Sequence, residues 1–289
     1  MRPTATLAAL SVAYLLASAA PALADDWPMY LGDVAHSSFR PGETQINSGN
    51  VGQLQQLWRA SVGATISSGV TVSDGSVYFG DWSGNFHALS AATGAVQWTQ
   101  FLGKAADPID PSCEPRAIGV SAQPIVAGNT VYAAGGDSTV YALDRATGAV
   151  LWRSPLADPA TGTYLWSSLT LYQNALYIGI ASLTDCPLVR GGLARIPLDN
   201  PAQPQIVYFV PENALGGGLW STPAIDAQNN LLYVTTGNAD TQDAQQGVWG
   251  SALLALDAST LAVQSHFFMP LTDQDTDADW GSSPLFFVM

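Results

Sequence analysis

Two places in this 289-residue sequence hold side chains suited to chemistry. Asp273, Asp275, Asp277 and Asp279 recur at alternate positions just before Trp280. Four carboxylates held close together need a cation between them or solvent to screen them. An EF-hand is excluded, because the sixth position from Asp273 is Ala278 and the twelfth is Pro284, where that loop requires Gly and Glu. Asn238 follows Thr236-Gly237 at the end of the apolar run Leu231-Leu232-Tyr233-Val234. There its amide oxygen could meet a hard cation. The acidic stretch reads equally as a solvated connector. Cys113 and Cys186 are the two cysteines. An oxidising compartment would pair them, and otherwise they are two buried thiols. With no CxxC spacing and three histidines, zinc and c-type haem lack their signatures. Arg116 and Arg190 lie beside the cysteines and can meet an anion or tie loops to carboxylates.

What positions these residues is a repeat. Ala88-Leu89-Ser90-Ala91-Ala92-Thr93-Gly94-Ala95-Val96-Gln97-Trp98 returns as Ala142-Leu143-Asp144-Arg145-Ala146-Thr147-Gly148-Ala149-Val150-Leu151-Trp152. Around each copy, short apolar runs alternate with two- to four-residue turns, the pattern of four strands joined by hairpins. A third copy runs from Ser167 to Phe209, with Ile196-Pro197-Leu198-Asp199 in place of the Ala-Leu-Asp text. The fourth, Ser221 to Phe267, has Leu261 for the Gly and Ser265 for the Trp. Four-stranded units repeated at this length predict an all-β propeller. The units fall at about 69–100, 120–155, 166–210 and 219–268, and Gly281–Phe287 opens a fifth, within 281–289. Residues 25–68 form an N-terminal segment in which Leu57-Trp58 reads as a closing strand. An apolar edge strand with no blade behind it is an aggregation hazard, so about half of a larger ring is expected. Turn alternation places the loops 101–120, 155–167, 181–191, 211–220, 238–250 and 269–281 on one face, the expected ligand face.

Residues 1–24 read as an export leader: Arg2, the apolar run Leu7–Ala20, then Ala22-Leu23-Ala24. The run is too short to span a bilayer, and no Cys follows it to carry a lipid. A soluble periplasmic or extracellular protein without membrane insertion is expected. Its formal net charge of −14 excludes nucleic acid and anionic lipid as natural partners.

The Ala-x-Asp-x-x-Thr-Gly-x-x-x-Trp text resembles the tryptophan-docking motif of the pyrroloquinoline quinone (PQQ) repeat propellers. Asp26-Trp27-Pro28-Met29-Tyr30 with Gly32-Asp33 is similar to the opening of their mature chains. Trp220-Ser221-Thr222-Pro223-Ala224-Ile225-Asp226, followed by Thr235-Thr236-Gly237-Asn238, resembles one of their blades. The resemblance implies an eight-bladed ring of the quinoprotein type, and alcohol or polymer-alcohol oxidation with PQQ and Ca²⁺. It makes Asn238 a cation ligand, and Asp277 or Asp279 both ligand and catalytic base. On the loop face Arg116 and Arg190 could meet an anionic quinone, and the loops of Cys113 and Cys186 allow a bridge between adjacent blades, unlike the adjacent cysteine pair of some of these dehydrogenases. The electron acceptor is not indicated. The same family also contains cofactor-free envelope scaffolds that bind proteins or peptides.

Overall fold

The computed structural model describes residues 26–105, 117–239, 242–243, 246–269 and 279–287. The leader read at residues 1–24 lies outside them. Four antiparallel sheets follow one another along the chain, each with its four strands in sequence order. The first contains Thr71–Ser73, Ser76–Gly80, Asn85–Ser90 and Val96–Phe101. The second contains Ile125–Ala127, Thr130–Ala134, Thr139–Asp144 and Val150–Pro155. The third is built from Thr170–Tyr172, Ala175–Ser182, Gly192–Pro197 and Gln205–Tyr208, and Thr163–Tyr164 also pairs with the long second strand. The fourth comprises Ala224–Asp226, Leu231–Thr235, Ala252–Asp257 and Val263–Phe268. Second and third strands are largely buried, whereas the fourth strands are mostly exposed or half-buried. This is the gradient of a blade packed on both faces at its centre and wet at its rim.

Neighbouring sheets are locked at one repeated contact. The indole of Trp58 donates to Ala91 O at 2.7 Å, and that of Trp98 donates to Arg145 O at 2.9 Å. Each ring lies on the Gly of the following Thr-Gly turn. A Cβ at Gly94 would stand 2.7 Å from the Trp58 ring, and one at Gly148 would stand 2.6 Å from the Trp98 ring. Both glycines have positive φ, 70° and 73°, so the turn geometry and the close approach require the same residue. Trp58 lies in no strand. No described strand pairs with residues 54–62, and Trp58 serves as the docking ring for the first sheet instead.

The degenerate third copy replaces this device. In strand register Arg195 pairs with Gln205, at the place where Ala88 pairs with Trp98. The bulge that the other three sheets carry at this point is absent here. Tyr177, on the second strand, donates instead to Ala258 O at 2.7 Å, the carbonyl equivalent to Ala91 and Arg145. Removing the large ring also frees the turn glycine: Leu261 takes that position at φ 61° and is buried. Tyr177→Phe is therefore expected to lower stability by about 1–2 kcal/mol, the cost of stranding a buried carbonyl, read as a shift of the urea midpoint.

The N-terminal segment crosses the inner strands. Trp27 exchanges hydrogen bonds with Val72 at 2.7 and 3.0 Å. Pro28 O accepts from Val126 N at 3.0 Å, Val34 O from Ile225 N at 2.7 Å, and Ala35 O from Phe286 N at 2.8 Å. His36, buried, completes the strap: Pro284 O lies 2.7 Å from its Nδ1, which must therefore carry the proton.

Beneath this strap a relay passes from sheet to sheet. Gln123 N donates to Ser168 Oγ at 3.0 Å, Ser168 N to Thr222 Oγ1 at 3.1 Å, and Thr222 N to Ser283 Oγ at 2.9 Å. Residues 281–287 thus stand where the inner strand of a further sheet would begin.

Candidate functional site

The loop-rich face expected from turn alternation carries a cleft of about 400 Å³. Five of the six predicted loops contribute: Trp166, the 181–188 stretch, Gly218 and Trp220, Asn238, and Asp279. Trp166 is fixed as a wall by donating to Ser182 O at 2.9 Å and Leu183 O at 3.2 Å, with Tyr164 edge-on at 4.8 Å. Tyr164 is itself held by Ser121, whose Oγ lies 2.9 Å from its hydroxyl, and by Gly119 O. Burial pushes the Tyr164 phenol well above its ordinary range, so it is a neutral donor at every working pH.

Asn238 and Asp279, 41 residues apart, meet here. The Asn238 backbone N–H donates to Asp279 Oδ1 at 2.5 Å, and Asn238 O accepts from Gly217 N at 2.8 Å. Gly237 makes the approach possible, since a Cβ there would stand 2.7 Å from Asp279 Oδ1. Trp280 anchors the acidic side by donating to Ser251 O at 3.0 Å. The Asn238 carboxamide makes no hydrogen bond to another described residue and borders the cleft. Asp185 also lines this cleft. Sequence reasoning passed over this third oxygen donor, although it directly precedes Cys186. An amide and two carboxylates form an all-oxygen donor set, the kind a hard cation takes. Among the described residues no three His, Cys, Asp or Glu side chains yet converge closely enough to hold a metal.

The other sequence candidates fall elsewhere. Asp277, Arg116 and Cys113 lie outside the described residues. Cys186 is on the cleft's loop, and there is no free cysteine among the described residues. Arg190 sits beyond Leu188 in a neighbouring cleft, its guanidinium 4.1 Å from the Tyr208 ring centre and its Nε donating to Val210 O at 2.9 Å. In this arrangement it does not reach Asn238 or Asp279.

Residues 49–184 match a family model of PQQ-type repeats described as outer membrane protein assembly factor BamB. The backbone superposes on the europium-containing methanol dehydrogenase with a TM-score of 0.69 at 18% identity, covering 84% of this chain and 49% of that one. Its fold is that of the quinoprotein propellers. Among curated relatives, the polyvinylalcohol dehydrogenase of a Pseudomonas species is 23% identical over 260 residues, covering 82% of this chain and 39% of its own. The quinoprotein alcohol dehydrogenase PedH of Pseudomonas putida is 24% identical over 263 residues, with coverages of 77% and 42%. The chain therefore spans about two-fifths of the length of these relatives. In this propeller-type fold the cleft lies on the face where the connectors between sheets collect. Among the described residues no helix is long and apolar enough to cross a membrane.

Proposed function

We propose that this chain is part of an exported quinoprotein oxidoreductase that binds PQQ and Ca²⁺ at the Asn238–Asp279 cleft and oxidises an alcohol. One observation carries the reading. A carboxamide with no hydrogen-bonding partner among the described residues and a carboxylate, far apart in sequence, face one cleft walled by two indoles. The all-oxygen donor set fits a hard cation, and the missing side chain at Gly237 lets the Asp279 carboxylate reach it. When bound, PQQ supplies the two-electron acceptor and Ca²⁺ the Lewis acid.

The protein's own residues do the rest. The Asn238 amide oxygen and one Asp279 oxygen are cation ligands. The Asn238 N–H keeps Asp279 oriented, so that a carboxylate of this connector can take the alcohol's hydroxyl proton. Asp277, on the same connector, is the second candidate for that base. Trp166 and Trp220 exclude water from the flat ligand. Arg116 is assigned to the rim, toward the anionic edge of the quinone, whereas Arg190 is turned onto Tyr208, and a Cys113–Cys186 bridge ties two connectors together. Residues 1–24 are assigned to export.

The test is binding as well as turnover. The full chain should retain PQQ on gel filtration only when Ca²⁺ is present, and reduce a dye with an alcohol as donor. Failure to retain quinone at any Ca²⁺ concentration would overturn the proposal and favour a cofactor-free platform.

A further inference from the structure

Behind the two indoles lies a second cavity of about 480 Å³, where the inner strands converge above Tyr30 and Leu31 of the N-terminal strap. Trp166 and Trp220 border both spaces. In a protein with net charge −14, no charged residue among the described ones lines this chamber. Hydroxyls line it instead, and four of them share one state. Ser67 Oγ accepts from Trp82 Nε1 at 2.7 Å, Ser168 Oγ from Gln123 N, Thr222 Oγ1 from Ser168 N, and Ser283 Oγ from Thr222 N. Each has spent acceptor capacity on an N–H, and none of the four donates its own proton to another described residue.

A hydroxyl that accepts from an N–H is polarised into a better donor. Four such donors around one space select a ligand with several acceptor oxygens. An anion would need a cation partner, and the acidic surface repels it. A monohydric alcohol would satisfy one donor and leave the others unmatched. A polyol offers an oxygen on each carbon and C–H edges that pack on an indole face. We propose that the central chamber is a binding site for a neutral polyhydroxylated ligand, distinct from the Asn238–Asp279 cleft and independent of any quinone there.

Gly281 provides the test. It lines the chamber, its φ is not in the left-handed region, and a Cβ there would meet only the Trp220 ring edge, at 3.7 Å. Gly281→Leu therefore fills the space without moving backbone. Titrating the full chain with meso-erythritol, followed by tryptophan fluorescence and calorimetry, should give a saturable response that ethanol and acetate do not give. Gly281→Leu should weaken it at least tenfold with unchanged circular dichroism and melting. Ser67→Ala, at an exposed rim position, should weaken it several-fold and decides the matter if Gly281→Leu does not fold. No saturable response, an equal response to ethanol or acetate, or wild-type affinity in the folded variants would overturn the assignment.

Discussion

Gly148→Val is expected to lower the stability of the chain by about 4 kcal/mol, from the sum of three effects. A β-branched residue at φ 73° costs about 1–2 kcal/mol or more of backbone strain. The new Cβ would stand 2.6 Å from the Trp98 ring, so the ring must leave its seat. Its hydrogen bond to Arg145 O is then lost, about 1 kcal/mol, and its packing between two sheets opens a gap worth about 1–3 kcal/mol. Gly128→Val is the control, because Gly128 also has positive φ, 58°, but nothing within 4 Å of its would-be Cβ. Urea unfolding of the pair separates strain from docking. Equal midpoints would mean that the indole seat contributes nothing.

Asp279→Asn should carry the largest functional effect. Asparagine keeps an oxygen able to accept from the Asn238 N–H, so the local fold is preserved while the charge is removed. Ca²⁺ affinity is tuned over orders of magnitude by ligand charge. A loss of about 100-fold or more in Ca²⁺ affinity is expected, with the melting temperature of the metal-free protein moved by no more than about 2 °C, as for a surface change. Calcium titration calorimetry reads the affinity, and a thermal melt of the metal-free protein reads the stability. Unchanged affinity would remove Asp279 from the cation site, and a large fall in metal-free stability would make it a purely structural anchor.

The repeat made the sheets legible because a Thr-Gly turn and a Trp five or four residues later obey one local rule of steric fit. The same logic made the third copy hard to read. There the seat is rebuilt from a different strand, by Tyr177, and no local pattern announces a substitution made across a sheet. The site divides in a similar way. Asn238 and Asp279 were visible as residue types suited to a cation, and strand alternation put their loops on one face. Their contact through a backbone N–H was not visible, because it depends on how two connectors 41 residues apart pass each other at Gly237. Arg190 shows the converse: its loop was placed on the ligand face, but its direction is set by Tyr208, a neighbour that spacing cannot indicate.

The strap of residues 27–36 bears on how this chain folds. Stacked repeats contact only their neighbours, so folding can nucleate in any one of them and spread. Here a segment from the chain's beginning hydrogen-bonds to strands near residues 72, 126, 225 and 286. Those pairings close loops of roughly 45 to 250 residues, and such long closures are completed late because their entropy must be met first. The strap therefore acts as a final clasp: until it seats, the sheets are a loose array, and once seated they gain and lose structure together.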